Sequence, residues 1–123
     1  MSYRPPQDLR ERAFRFTCDV FDYCEQLAGT PGMARRVAYQ LFAAASSIGA
    51  NLEEAKAAYS RRDFAAKNGI CLKESRESKY WLKVADAKSL GSHEHRQRLL
   101  READEFVAML TISVKRLQRD NDT

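Results

Sequence analysis

Four carboxylates pose the sharpest chemical question in this chain of 123 residues. Glu53 adjoins Glu54, and Glu74 lies three residues before Glu77, so carboxylate-bridged metal chemistry is what these side chains would support if they converged. A dimetal bundle also needs histidine, commonly as Glu-x-x-His on a helix, because each ion takes several oxygen or nitrogen ligands from facing helices. That motif is missing. The two histidines, His93 and His95, stand at the start of the last helical segment and read as solvent-exposed cap residues. We therefore expect no metal and no cofactor, with the glutamates in interhelical salt bridges or a polar network.

Nucleophilic chemistry has less support. Cys71 has no histidine near it in sequence, and Ser46 and Ser47 have neither an identifiable base nor a nucleophile-elbow context. No Gly-x-x-x-x-Gly-Lys-Ser/Thr phosphate cradle occurs. The expectation is a noncatalytic protein without a small-molecule substrate. Cys18, Cys24 and Cys71 fall in apolar helical stretches without ligand spacing, so all three are expected to be buried, and their odd number points to a reducing, cytoplasmic setting.

The run Ser46-Ser47-Ile48-Gly49-Ala50-Asn51-Leu52-Glu53-Glu54 breaks an apolar stretch with small and polar residues. An Asn51 amide turned inward needs partners, and Asn68, Ser75 or Ser78 on the next segment could provide them. Ser47, Asn51, Glu53, Glu54, Asn68, Ser75, Glu77 and Ser78 thus form a polar motif at a core or interface. It reads as a device fixing helix register, as an intersubunit contact, or as a contact to a bound partner.

A net charge of +4 and a pI near 9.1 favour anionic partners, RNA or DNA or an enzyme that works on them. Candidate contacts are Arg35 and Arg36, Arg61 and Arg62, the series Lys73, Arg76, Lys79 and Lys83, and Arg96, Arg98 and Arg101. The middle series carries most weight, because residues three or four apart share a helix face and could follow a phosphate backbone. Glu74 and Glu77 dilute it. Tyr80 and Trp81 could stack on bases if exposed.

These side chains must be positioned by four amphipathic segments with short joints. The first begins near Asp8, with Asp8 and Glu11 as a capping box, and carries Leu9, Ala13, Phe16, Val20, Cys24 and Leu27 on one stripe. Thr30 reads as an N-cap before Pro31, opening a second helix that runs to about Tyr59 through Leu41, Ala45, Ile48, Leu52, Ala55 and Tyr59. Ser60 to Asp63 forms a further capping box, after which Phe64, Asn68, Cys71, Ser75, Ser78, Leu82 and Ala85 line a third helix. Leu90-Gly91-Ser92 supplies a stop and a new N-cap, and Leu99, Ala103, Phe106, Leu110, Ser113 and Leu117 define a fourth.

Short joints make neighbours antiparallel, so the expected fold is all-α, an up-down-up-down antiparallel four-helix bundle over residues 8–120, with a flexible segment 1–7 and a polar tail 121–123. No apolar run is long enough to cross a bilayer, and no membrane partner is expected. Phe14 and Phe21, Tyr39 and Phe42, and Val107 and Val114 exceed a single stripe, and apolar area beyond the internal seam suits burial against another subunit.

The run from Ser47 through Ala55 resembles the Ser-Ile-Pro-Ala-Asn-Ile-Ala-Glu-Gly pattern of a four-helix family encoded in intervening sequences of bacterial 23S ribosomal RNA genes, also called S23 ribosomal proteins. Phe64 through Ala85, including Ser75, Glu77 and Leu82, resembles the segment that follows. Gly49 replaces the usual proline, and Glu54-Ala55 replaces Glu-Gly, leaving Glu53 or Glu54 in the acidic place. The resemblance implies a homo-oligomer, a five-membered ring. It also implies kinship with accessory proteins of diversity-generating retroelements, basic pentameric bundles that engage reverse transcriptase and nucleic acid.

Overall fold

A computed structural model describes residues 7–121 of the chain, as four helices. They are α1 (Gln7–Ala28), α2 (Met33–Lys56), α3 (Arg61–Ala87) and α4 (His93–Asn121). Each sequential pair packs along its length, α1 also meets α4, and the backbones of the diagonal pairs stay apart. This is the expected antiparallel four-helix bundle.

The core is built by the stripes seen in sequence. Ala13, Phe16, Val20 and Leu27 of α1, Leu41, Ala45, Ile48 and Leu52 of α2, Cys71, Leu82 and Ala85 of α3, and Leu99, Ala103, Phe106 and Leu110 of α4 are all buried. The α2–α3 seam is lined by Ala44, Ala45, Cys71, Ser75 and Ser78, whose short side chains let the two backbones approach closely. The α1–α4 seam is wider and spanned by long side chains. There Phe16 and Phe106 meet at 5.4 Å between ring centroids, a pair contributing about 0.5–1.5 kcal/mol beyond its buried area.

The ends of the helices differ from expectation in instructive ways. Helix α1 begins at Gln7, which puts Asp8 inside its first turn rather than at its cap. Helix α2 starts at Met33 after Gly32, whose φ of 99° and lack of a side-chain cap replace the expected Thr30–Pro31 start. It stops at Lys56, so Tyr59 lies outside the helix and is 99% exposed instead of in the core. The α3 cap is as expected: Ser60 Oγ accepts from Asp63 N, while Tyr59 N donates to the Asp63 carboxylate.

Helix α3 ends in a Schellman turn. Leu90 N donates to Ala85 O at 2.9 Å and Ser89 N to Asp86 O at 3.1 Å, with Ser89 at φ 53° in the place glycine normally takes. Ser92 Oγ then accepts from His95 N and caps α4. The segment expected to be flexible, 1–7, and the polar tail lie almost wholly outside the described residues; α4 itself continues to Asn121.

Candidate functional site

The amides and hydroxyls of the polar motif bond mainly within their own helices. Asn51 Nδ2 donates to Ser47 O, Asn68 Nδ2 to Phe64 O, Ser75 Oγ to Cys71 O and Ser78 Oγ to Glu74 O, each within its own helix and four residues back. A short hydroxyl or amide on a helix reaches the preceding turn more readily than a neighbouring rod. Of these four side chains, Asn68 also bonds across a seam, its Oδ1 accepting from Ser113 Oγ of α4 at 3.2 Å. The expected Asn51 network across α2–α3 is not formed.

The four carboxylates do not converge either. Glu53 pairs with Arg10 of α1 at 3.4 Å and Glu54 with Lys67 of α3 at 2.8 Å. Burial raises the Glu74 carboxyl above its usual range, and neighbouring Glu77 adds to the effect. No group of three or more metal-ligating side chains occurs among the described residues. The thiols of Cys24 and Cys71 are buried and pushed up to about 12 by desolvation, whereas Cys18 is exposed, contrary to expectation.

Several cations proposed for anion binding are used internally. Arg96 is buried, with Nε on Asp86 at 3.0 Å and Nη1 on the Leu90 and Gly91 carbonyls, so it ties the α3–α4 turn together. Arg98 forks onto Asp19 of α1 at 2.8 and 3.0 Å. His95 is buried rather than exposed, its Nε2 2.8 Å from the same carboxylate. The Arg98 hydrogen bond, reinforced by His95, holds Asp19 below the usual carboxylate range. Arg12 forks onto Glu102 further along, and Arg35 Nε donates to Ala28 O at the end of α1. Lys79 pairs with Asp104 of α4 at 2.7 Å.

What remains is sharply sorted by helix face. At about 100° per residue, Arg62, Lys73, Arg76, Tyr80 and Lys83 fall within about 80° of the outer arc of α3. Asp63 and Glu74 turn toward the α2 flank instead, whereas exposed Glu77 borders the stripe beside Lys73. All five stripe residues are exposed, and its four cations make no salt bridge among the described residues. Arg36 and Arg101 are exposed as well, while Arg61 is half-buried.

On the opposite side, α1 and α2 present aromatic rings. Phe14 is 68%, Phe21 51% and Tyr39 66% exposed, and half-buried Phe42 packs edge-on to Phe21 at 5.8 Å. Two open depressions run along this face, one between Phe21, Tyr39 and Phe42, the other between Phe14, Thr17, Gly49 and Ala50. Val107 and Val114 are half-buried on the flank of α4 turned to α3, apart from that aromatic face.

Residues 7–112 match the sequence model of the 23S rRNA-intervening sequence protein family. The chain belongs to this family. A crystal structure of a protein with unknown function from the S23 ribosomal protein family of Bacteroides thetaiotaomicron superposes with a TM-score of 0.77 at 26% identity, covering 86% of this chain and 97% of that one. No curated protein matches the chain. In this 23S rRNA-intervening sequence protein, the run carrying the resemblance buries Ile48, Leu52 and Ala55, so much of its pattern records packing.

Sequence reasoning missed Tyr23, Asp19, Arg12 and Glu102. Tyr23 is fully buried, donates to Leu90 O at 2.7 Å, and has its hydroxyl raised to about 12 by burial. The available signal was seven-residue spacing of Arg12 and Asp19 on one flank of α1, facing His95, Arg98 and Glu102 at three- and four-residue steps on α4.

Proposed function

We propose that this protein is a noncatalytic scaffold that assembles with copies of itself, in the five-membered ring its family resemblance implies, and binds nucleic acid along the outer face of α3. The observation that carries the reading is the separation of an aromatic α1–α2 face from a cationic α3 stripe. Exposed aromatic area of this kind is stabilised by burial against another subunit. Exposed cations aligned on one arc can follow phosphates and release their counterions. The aromatic side serves assembly and leaves the α3 stripe for the partner. That division also suits a nucleic-acid enzyme as a further partner on the same substrate.

The test combines absolute mass from light scattering with titration of mixed RNA and DNA at low and physiological salt. A five-subunit mass and salt-sensitive binding are expected. Phe14→Asp with Phe21→Asp should lower the mass. Lys73→Glu with Arg76→Glu should weaken binding and flatten its salt dependence, whereas Lys79→Glu should act mainly through Asp104. A monomer that ignores nucleic acid at low salt would overturn the reading and favour a protein-binding module.

A further inference from the structure

The cationic stripe contains one residue that phosphate binding does not explain. Tyr80 sits between Arg76 and Lys83 on the outer arc of α3, with its ring 58% exposed. It stands edge-on to Trp81, at 5.3 Å between centroids and 76° between planes. Trp81 in turn packs against the core, so the tyrosine ring rests on a fixed neighbour. From this geometry we infer that Tyr80 is a stacking platform for an unpaired base, which makes the α3 stripe a site for single-stranded nucleic acid rather than duplex. The inference rests on the nucleic-acid reading above and narrows it.

The argument is one of complementary chemistry. Duplex phosphates could be met by Arg62, Lys73, Arg76 and Lys83 alone, because paired bases keep their faces stacked on one another. A single strand offers both anionic phosphates and open base faces, and proteins that hold it combine a cationic track with aromatic rings. Here Arg76 lies one helical turn before Tyr80 and Lys83 nearly one turn after it, spanning about 10 Å. The two cations can therefore take phosphates on either side of a nucleotide whose base lies on the ring. Propping by Trp81 reduces the side-chain freedom lost when the base docks.

Oligo(dT), oligo(U) and a mixed-sequence duplex are titrated against the full chain by fluorescence anisotropy at fixed salt, with wild type, Tyr80→Phe and Tyr80→Ala compared. The emission of Trp81, the single tryptophan of the chain, is followed in parallel. The expected result is tighter binding of single strands than duplex, with Trp81 emission changing on binding. Tyr80→Phe should keep this affinity, and Tyr80→Ala should lose about tenfold on single strands with little change on duplex. The oligo(dT) and oligo(U) arms separate DNA from RNA, and the stacking effect is expected in whichever is bound.

Salt-sensitive binding that Tyr80→Ala leaves unchanged, or weakens equally on duplex, overturns the stacking site while the phosphate-binding scaffold stands. Failure of all three probes to bind removes both. A fall in assembly mass for Tyr80→Ala would place a second copy of the chain on the ring and also overturn the site.

Discussion

Gly91 and Gly49 show how differently two glycines can be held. Gly91 has φ 64°, and an added Cβ would lie 2.9 Å from Tyr23 Cε1 and 3.3 Å from Leu27 Cδ2. Gly91→Ala should therefore destabilise the fold by about 1–3 kcal/mol, since it adds backbone strain to a clash with a buried ring. Gly49 lies within α2, where a Cβ would make ordinary contacts, 3.6 Å from Thr17 Oγ1 and 3.8 Å from Ala13. Gly49→Ala should stabilise by about 0.5–1 kcal/mol through helix propensity and a less flexible unfolded chain. Urea denaturation of the two variants reads both signs; a stabilised Gly91→Ala would show that the turn relaxes away from Tyr23. The position where Gly49 replaces the family's usual proline thus has room for a methyl group.

Among the elements, α1 and α4 are joined by side chains more than by backbone proximity, and Asp19 is central to their seam. A carboxyl held below its unfolded value contributes stability that is complete above the ordinary range and is lost as pH falls through the depressed folded value. For Asp19 the loss begins below about pH 4. Asp19→Asn should cost about 1 kcal/mol at neutral pH and make the acid limb of the stability curve less steep. An unchanged acid limb would remove Asp19 from this role.

The same seam marks the limit of what the sequence made legible. Apolar spacing located every helix, because stripes such as Ala13, Phe16 and Val20 are local patterns. Burial of His95 and Arg96 was not legible, since it depends on Asp19 and Tyr23 from α1 and on the path of the α3–α4 turn. Thr30–Pro31 misled in another way, offering a sound cap signal that the chain bypasses through Gly32. In the candidate interface, the cations of α3 were visible, but their separation from Asp63 and Glu74 emerged only once each residue was placed around the helix.

At the scale of the whole molecule, α2 and α3 form the tightest pair, while α1 and α4 are each held closely on one side only. In mild denaturant α1 is expected to open before the α2–α3 pair. Cys24, whose thiol donates to Ala38 O, and Cys71, whose thiol donates to Ile48 O, report the two regions. With Cys18 replaced by serine, Cys24 should react with a thiol reagent at lower denaturant than Cys71. Coincident labelling would instead describe a bundle that opens as one unit. The back-bonded serines add a consequence for how such a chain can change over generations. Ser75 and Ser78 satisfy their hydroxyls on carbonyls of their own helix, so exchange with alanine strands no polar partner on α2. The closest seam of the bundle is thus limited by side-chain volume more than by chemical identity, leaving room for neutral drift among small residues while the wide, ion-paired seam requires matched changes on two helices.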